Sequence, residues 1–214
     1  MKNFTLKIAA VFMLFAVNAF GFSEGEDYVK LANPISNADK TLIKVFSYDC
    51  PFCYKYDKSV TPIVIKRLEG VLTFEPFHLK TKGKYGQEAS ELFAALIVKD
   101  GSEGIAPTDE KSAFKKAKMA YYNAYHDKKE RWDGGAESFI AFGLKAGGMT
   151  EGEFEKLKNS EEAKEIVSRW EASYDVAKIQ GVPAFVVNGK YLIYTKSITS
   201  IESMVALIKE LADK

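Results

Sequence analysis

Apolar residues along this chain fall into short dense runs and into longer stretches of helical spacing. Leu42-Ile43-Lys44-Val45-Phe46 is a short, mostly apolar run that fits a buried strand. It passes directly into Ser47-Tyr48-Asp49-Cys50-Pro51-Phe52-Cys53. Pro51 suits the first turn of a helix, where its missing N–H would be unpaired anyway. The pattern predicts that this helix runs toward Arg67, bends at Pro62 and closes at Glu69-Gly70. Leu72 to His78 then alternates apolar and polar residues as a strand does, and Pro76 points to an edge or irregular position because it cannot donate to a ladder. Together these predict a β-α-β unit.

From about Tyr85 to Gln180 the spacing is helical. Ala89, Leu92, Phe93, Leu96 and Ile97 share one face, Gly101 to Pro107 interrupts, and Thr108 is placed to cap the next helix. Met149-Thr150 with Glu153-Phe154 combines a capping box with a hydrophobic staple. Ser160 is placed to cap a long helix with Val167, Trp170, Tyr174 and Ala177 on one side, ending at Gly181. The period then switches. Ala184 to Val187, Asn188-Gly189 and Lys190 to Tyr194 predict a hairpin with a two-residue primed turn, because Asn-Gly tolerates the positive φ such a turn needs. Ser200 to Leu211 predicts a last helix with Ile201, Val205, Ile208 and Leu211 inward. The order β-α-β, helices, β-β-α implies an α/β fold: one mixed sheet interrupted by a helical insertion.

The stretch ahead of these elements is different. Lys2 and Lys7 precede the apolar run Ile8 to Val17, and small residues follow, with Val17-Asn18-Ala19 or Ala19-Phe20-Gly21 as cleavage sites. This predicts a secretory signal peptide over 1–19, since the run is shorter than the ~20 residues a spanning helix needs. Ser23 to Lys40 reads as a polar segment broken by Asn33-Pro34. Loss of residues 1–19 removes two lysines and no acids, turning the formal charge from +1 to −1, a balance that gives no support for nucleic-acid binding. Hydrophobic residues at 47% suffice for an ordinary core, which excludes a disordered chain.

The two cysteines carry the chemistry. A bridge across so short a loop restricts the unfolded chain little, so reactivity explains the pair better than stability does. Cys50 and Cys53 lie three apart on one helix face, so their sulfurs can join or separate with little backbone movement. Cys50 is expected at the helix start, where unpaired N–H groups and the dipole favour an anion; its thiolate should be stabilised, with Cys53 the less exposed, resolving partner. A stabilised thiolate makes the disulfide oxidising. A zinc site needs two further ligands, and the chain has only His78 and His126 besides. Val182-Pro183, before the final hairpin, is the second informative pair; alone it does no more than start a strand.

The segments Phe46-Ser47-Tyr48-Asp49-Cys50-Pro51-Phe52-Cys53-Tyr54 and Gly181-Val182-Pro183-Ala184-Phe185-Val186-Val187-Asn188-Gly189-Lys190-Tyr191 together resemble the DsbA family of periplasmic thiol:disulfide oxidoreductases, as does Gly25-Glu26-Asp27-Tyr28. The resemblance implies a thioredoxin fold, with 20–82 and 181–214 as its two parts around a helical domain at 83–180. It also implies a cis Pro183 facing the Cys50–Cys53 disulfide, and a Val182 that offers its backbone to the bound substrate chain. Pro51 and Phe52, between the cysteines, would support the site. The implied activity is that of a dithiol oxidase with no cofactor beyond the disulfide. It would act in the periplasm on reduced exported proteins and be reoxidised by a membrane quinone-linked partner of the DsbB type; we expect a monomer. Two departures matter. The family's inter-cysteine pair is usually Pro-His and here is Pro51-Phe52, similar to the DsbL branch, which implies a DsbI-type partner and an arylsulfate sulfotransferase client. The family also often carries a buried acid six residues before the first cysteine, where this chain has Lys44. Lys44 either approaches the sulfurs and favours the thiolate or is a surface lysine.

The remaining candidates read as structural. The lysines at 80–84, 115–118 and 128–129 fit solvated faces, Tyr121, Tyr122, Tyr125 and Trp132 fit core or scattered surface, Asp49 fits a water-facing acid, and His78 fits a satisfied structural histidine. A periplasmic reductase or isomerase on the same fold is the rival enzyme, although the roughly thirty residues before Cys50 are too few for a dimerisation domain. A chaperone-like module with incidental cysteines is the non-enzymatic rival.

Overall fold

The computed structural model describes residues 21–214; the expected signal peptide, at 1–19, lies outside the described residues. β2 (Thr41–Phe46) is central, hydrogen-bonded in parallel to β3 (Thr73–His78) and antiparallel to β4 (Ala184–Val187). β5 (Tyr191–Ile193) follows β4, and β1 (Tyr28–Lys30) closes the far edge, giving the order β1-β5-β4-β2-β3. β1 was not expected: three residues are too few to show a period, and it exists because its backbone pairs with β5, Tyr28 opposite Ile193. Pro76 sits on β3, an edge strand, where a missing N–H is tolerated.

Alternation along the strands builds two cores. Ile43, Val45, Ala184 and Val186 face the helical insertion, while Leu42, Phe185 and Val187 face the opposite side with Val64, Met204, Ile208 and Leu211. α1 (Pro51–Ser59) and α2 (Thr61–Arg67) replace the single bent helix expected there, parting at Val60. Pro62, in the first turn of α2, has no N–H for the Lys58 carbonyl, so the ladder breaks rather than bends. The insertion comprises α3 (Gly86–Ser102), α4 (Ala113–Tyr122), a π-turn over Asn123–Asp127, α5 (Ala136–Gly147), α6 (Glu151–Lys158), α7 (Glu161–Arg169) and α8 (Ala172–Gln180). α9 (Ile201–Ala212) ends the fold.

Two expectations about this insertion need correction. α4 is capped by Ser112 and not Thr108, because buried Asp100 accepts from the Ser112 hydroxyl at 2.6 Å and from the N–H groups of Ala113 and Phe114 at 2.8 and 3.1 Å. The long helix after Ser160 is two, α7 and α8. Ser173 donates its hydroxyl to the Trp170 carbonyl and faces the His78 carbonyl, an interaction that competes with a continuous helical ladder. The Thr150 capping box is present, with Met149 and Phe154 buried in one cluster. In the hairpin Asn188 and Gly189 both take positive φ, at 53° and 64°, but Val187 lies opposite Tyr191, so three residues connect the strands instead of two.

His78 ends β3 fully buried beneath Phe46 and Phe93; its Nδ1 is 2.7 Å from the Ser90 hydroxyl, and its Nε2 has no protein partner among the described residues. The ring is therefore only half satisfied. Burial lowers its pKa from 6.5 to about 3. Between those values the unfolded chain binds a proton that the folded one refuses, so stability falls as pH drops through that window. The limiting loss is about 5 kcal/mol from this one group. Urea midpoints measured from pH 7 to 3 should show a descending limb, and His78→Gln should flatten it between about pH 6.5 and about 5.5, above the range where most carboxylates titrate.

Candidate active site

The site is assembled where β2 hands over to α1. After Phe46 the chain crosses Ser47-Tyr48-Asp49, a loop held by Tyr48. That ring is buried among Tyr121, Trp132 and Phe139, and its hydroxyl accepts from the Tyr85 N–H at 2.9 Å. Gly83 makes room for it: a Cβ there would lie 2.8 Å from the Tyr48 ring, and its φ of +87° suits glycine. Ser47 donates to the Asp49 carboxylate at 2.9 Å, and Lys82 Nζ is 3.4 Å from the same oxygen. Asp49 is thus engaged on both sides, not simply turned to water.

Cys50 is the N-cap of α1, with φ −88° and ψ 111°, and Pro51 occupies the first turn as its fixed φ allows. The Cys53 N–H donates to Cys50 Sγ at 3.0 Å, so the sulfur takes the place that a serine or aspartate oxygen usually fills at an N-cap. The first turn of α1 holds no acid, leaving the positive end of the helix dipole facing that sulfur. Cys50 and Cys53 are joined as a disulfide, with Cα atoms 5.2 Å apart.

The second strand-bearing segment meets them here. The Val182–Pro183 peptide is cis, and the Val182 carbonyl oxygen lies 3.2 Å from Cys50 Sγ. Pro183 is buried and Val182 half-buried. Cys53 is 0% exposed and Cys50 2%, so what little of the pair is open to solvent belongs to Cys50. Pro51 is exposed, and Phe52 is 60% exposed, the largest apolar side chain standing free beside the pair. Lys55 Nζ lies 5.4 Å from its ring centroid.

Of the two sequence readings of Lys44, burial removes the surface one. It does not face solvent: the side chain is 1% exposed, 2.5 Å from Asp57 Oδ1 and 3.1 Å from the Thr61 hydroxyl. Its immediate partner is a carboxylate that the sequence reading passed over. Asp57 lies one turn beyond Cys53 on the same face of α1, and Lys118 from α4 closes on its other oxygen at 3.0 Å. Burial lowers the Lys44 pKa from 10.5 to about 8 against the pull of Asp57, with Lys118 pushing the same way as burial. Burial alone would raise the Asp57 carboxyl; Lys118 and Lys44 outweigh it and hold the group at about 2. The spacing Cys53 to Asp57 was the available signal, since i and i+4 share a helix face. Lys118 carried none, because its run of lysines reads as solvated.

His126 also reaches the site, from the π-turn. Its Nε2 donates to the Tyr48 carbonyl at 3.2 Å, and its ring stacks on Tyr54 at 5.7 Å, while Tyr54 donates to Asp127 at 2.7 Å. Burial lowers its pKa, opposed by the Tyr48 carbonyl and by Asp49. Among the described residues no group of three or more His, Cys, Asp or Glu side chains is placed to hold a metal, and no helix is long and apolar enough to cross a membrane.

Comparison with known proteins agrees with this geometry. The model of the DSBA-like thioredoxin domain matches residues 41–206. The thiol:disulfide interchange protein DsbL of Escherichia coli O6:H1 is 59% identical over 211 residues, covering 98% of this chain and 94% of that protein. The protein of the same name from Lelliottia amnigena is 57% identical over 208 residues, covering 96% and 93%. The crystal structure of DsbL from Salmonella enterica serovar Typhimurium superimposes with a TM-score of 0.89 at 60% identity, covering 92% of this chain and 100% of that one.

The seat of Tyr48 can be tested directly. Gly83→Ala drives a methyl group into the phenol ring at a left-handed backbone position, and is expected to lower stability by roughly 1–3 kcal/mol in urea denaturation. An unchanged midpoint would mean that the loop ahead of Cys50 is not held by this contact.

Proposed function

Because this chain belongs to the DSBA-like thioredoxin family and is a protein disulfide oxidoreductase, we propose that it works in the oxidising direction, donating the Cys50–Cys53 disulfide to exported proteins in the periplasm. The observation that carries this is the placement of Cys50 Sγ as the N-cap of α1, accepting the Cys53 N–H and facing the Val182 carbonyl. Negative charge on that sulfur is stabilised by the helix terminus, so the reduced, ionised form is favoured and the disulfide is an oxidant.

The reaction then runs in two displacements. A client thiolate attacks Cys50 Sγ; the S–S bond breaks, Cys53 leaves as thiolate and takes a proton from solvent. A second client thiolate attacks the client sulfur of the mixed disulfide and expels Cys50 as a thiolate, a good leaving group because the helix terminus stabilises its negative charge. The client gains one disulfide and the enzyme gains two electrons, returned to a membrane quinone-linked reoxidase of the DsbB or DsbI type. Val182 presents its backbone to the client chain beside the buried Pro183, with Pro51 and Phe52 forming the exposed rim. Residues 20–82 and 181–214 make the thioredoxin unit and 83–180 the inserted domain. Likeness to DsbL proteins favours an arylsulfate sulfotransferase among the clients.

Equilibration with glutathione should give a potential far above the roughly −270 mV of thioredoxin. Cys50→Ser should abolish oxidative refolding of a reduced client, and Cys53→Ser should accumulate the mixed disulfide. Alkylation of reduced Cys50 against pH should titrate well below the ordinary ~8.5. A thioredoxin-like potential would turn the reading to a reductase.

A further inference from the structure

Beneath Cys53 lie two ammonium groups and one carboxylate, all nearly buried. The side chains of Lys44, Asp57 and Lys118 are 1%, 4% and 8% exposed, and each lysine takes a different oxygen of Asp57. With one acid between two bases, the cluster holds one net positive charge. Two uncharged polar side chains adjoin it: the Thr61 hydroxyl accepts from Lys44, and the Tyr122 phenol is raised well above its usual value by burial and by Asp57. The three members come from β2, α1 and α4, so the charge forms only when the helical insertion is seated on the strand and the active-site helix.

Isolated charge is expensive to bury, and three charges with an odd total are a poor device for stability alone. The cluster also lies close to the reacting pair. Asp57 is one turn from Cys53 on the same helix face, which puts their Cβ atoms roughly 5–6 Å apart. Lys118 and Asp57 also line a cavity of about 310 Å³ whose wall carries two further lysines, Lys66 and Lys115, and two further acids, Glu69 and Glu110, which balance one another in charge.

We propose that Lys44 and Lys118, balanced by Asp57, are positioning residues that set the oxidising strength of the Cys50–Cys53 disulfide by holding one unpaired positive charge under it. This deepens the oxidase reading and rests on it. A buried cation favours the two-thiol state with its Cys50 thiolate over the neutral disulfide, and so adds to the effect of the helix terminus from the opposite side of the pair. A unit charge at roughly 8 Å in a medium of effective dielectric near 20 changes such an equilibrium by about tenfold or more.

The test is a charge rescue, read as the equilibrium constant with glutathione. Lys44→Met removes the net charge and should shift the equilibrium about tenfold toward the disulfide, about 30 mV for a two-electron couple. The double variant Lys44→Met with Asp57→Asn leaves Lys118 as the lone cation and should move the equilibrium back toward the parent value, although its packing is altered twice. The Cys50 pKa, followed by alkylation, should rise in the single variant and return in the double. A single variant with the parent equilibrium, or a double variant displaced further than the single, overturns the proposal. Where Lys44→Met does not fold, Lys118→Gln removes the same charge from the cavity wall and carries the same expectation. A parent protein with a thioredoxin-like potential would end the oxidase reading; a strongly oxidising parent matched by Lys44→Met would end this inference alone.

Discussion

The structure is organised around a single electrostatic placement, a sulfur at the mouth of a helix. Cys50 closes the first turn of α1 as its N-cap, accepting an N–H from the residue to which it is disulfide-bonded. An N-cap oxygen is a permanent acceptor. A sulfur in that seat accepts weakly while bonded to Cys53 and strongly once ionised, so the helix terminus discriminates between the two redox states. The surroundings hold that seat in place. Tyr48 anchors the preceding loop in an aromatic core, Pro51 starts the helix, and the Val182 carbonyl lies against the sulfur from the other half of the sheet.

The helical insertion has a larger share in this than its place in the chain suggests. It supplies the N–H that holds the Tyr48 hydroxyl, the rings that bury Tyr48, the histidine on the Tyr48 carbonyl and the ammonium on Asp57. These contacts reach the Cys50 loop from above and α1 from the side. A thioredoxin-type sheet would place the two cysteines without them, but the loop ahead of Cys50 and the charge under Cys53 would both be different. With Phe52 where the family usually has histidine, the imidazole nearest the site comes from the π-turn at His126, and it braces the loop rather than standing between the cysteines.

Several mismatches between pattern and structure share one cause. The helix break at Trp170 and the cap at Ser112 depend on which carbonyl or carboxylate competes for a local N–H or hydroxyl, and that competitor is remote in sequence or outside the pattern: His78 for Ser173, Asp100 for the start of α4. β1 exists by pairing with a strand more than 160 residues later. Where the competitor was local, as in the Thr150 capping box or the positive φ at Asn188-Gly189, the pattern was read correctly.

The amino-acid order by itself determined the strand–helix junction at Cys50, the i,i+3 cysteine pair, the final hairpin and the helical insertion, and through the family resemblance it indicated the cis peptide before the hairpin. These features are short-range, set by periodicity, turn chemistry and the donor that proline lacks. Only the tertiary structure decided where Lys44 points, that Asp57 and Lys118 join it, that Cys50 is covered despite standing at a helix start, and that His126 reaches Tyr48. Each of these depends on chain segments brought together across the sheet. A buried charge is identified by what surrounds it, and no local pattern encodes the far partner that makes its burial tolerable.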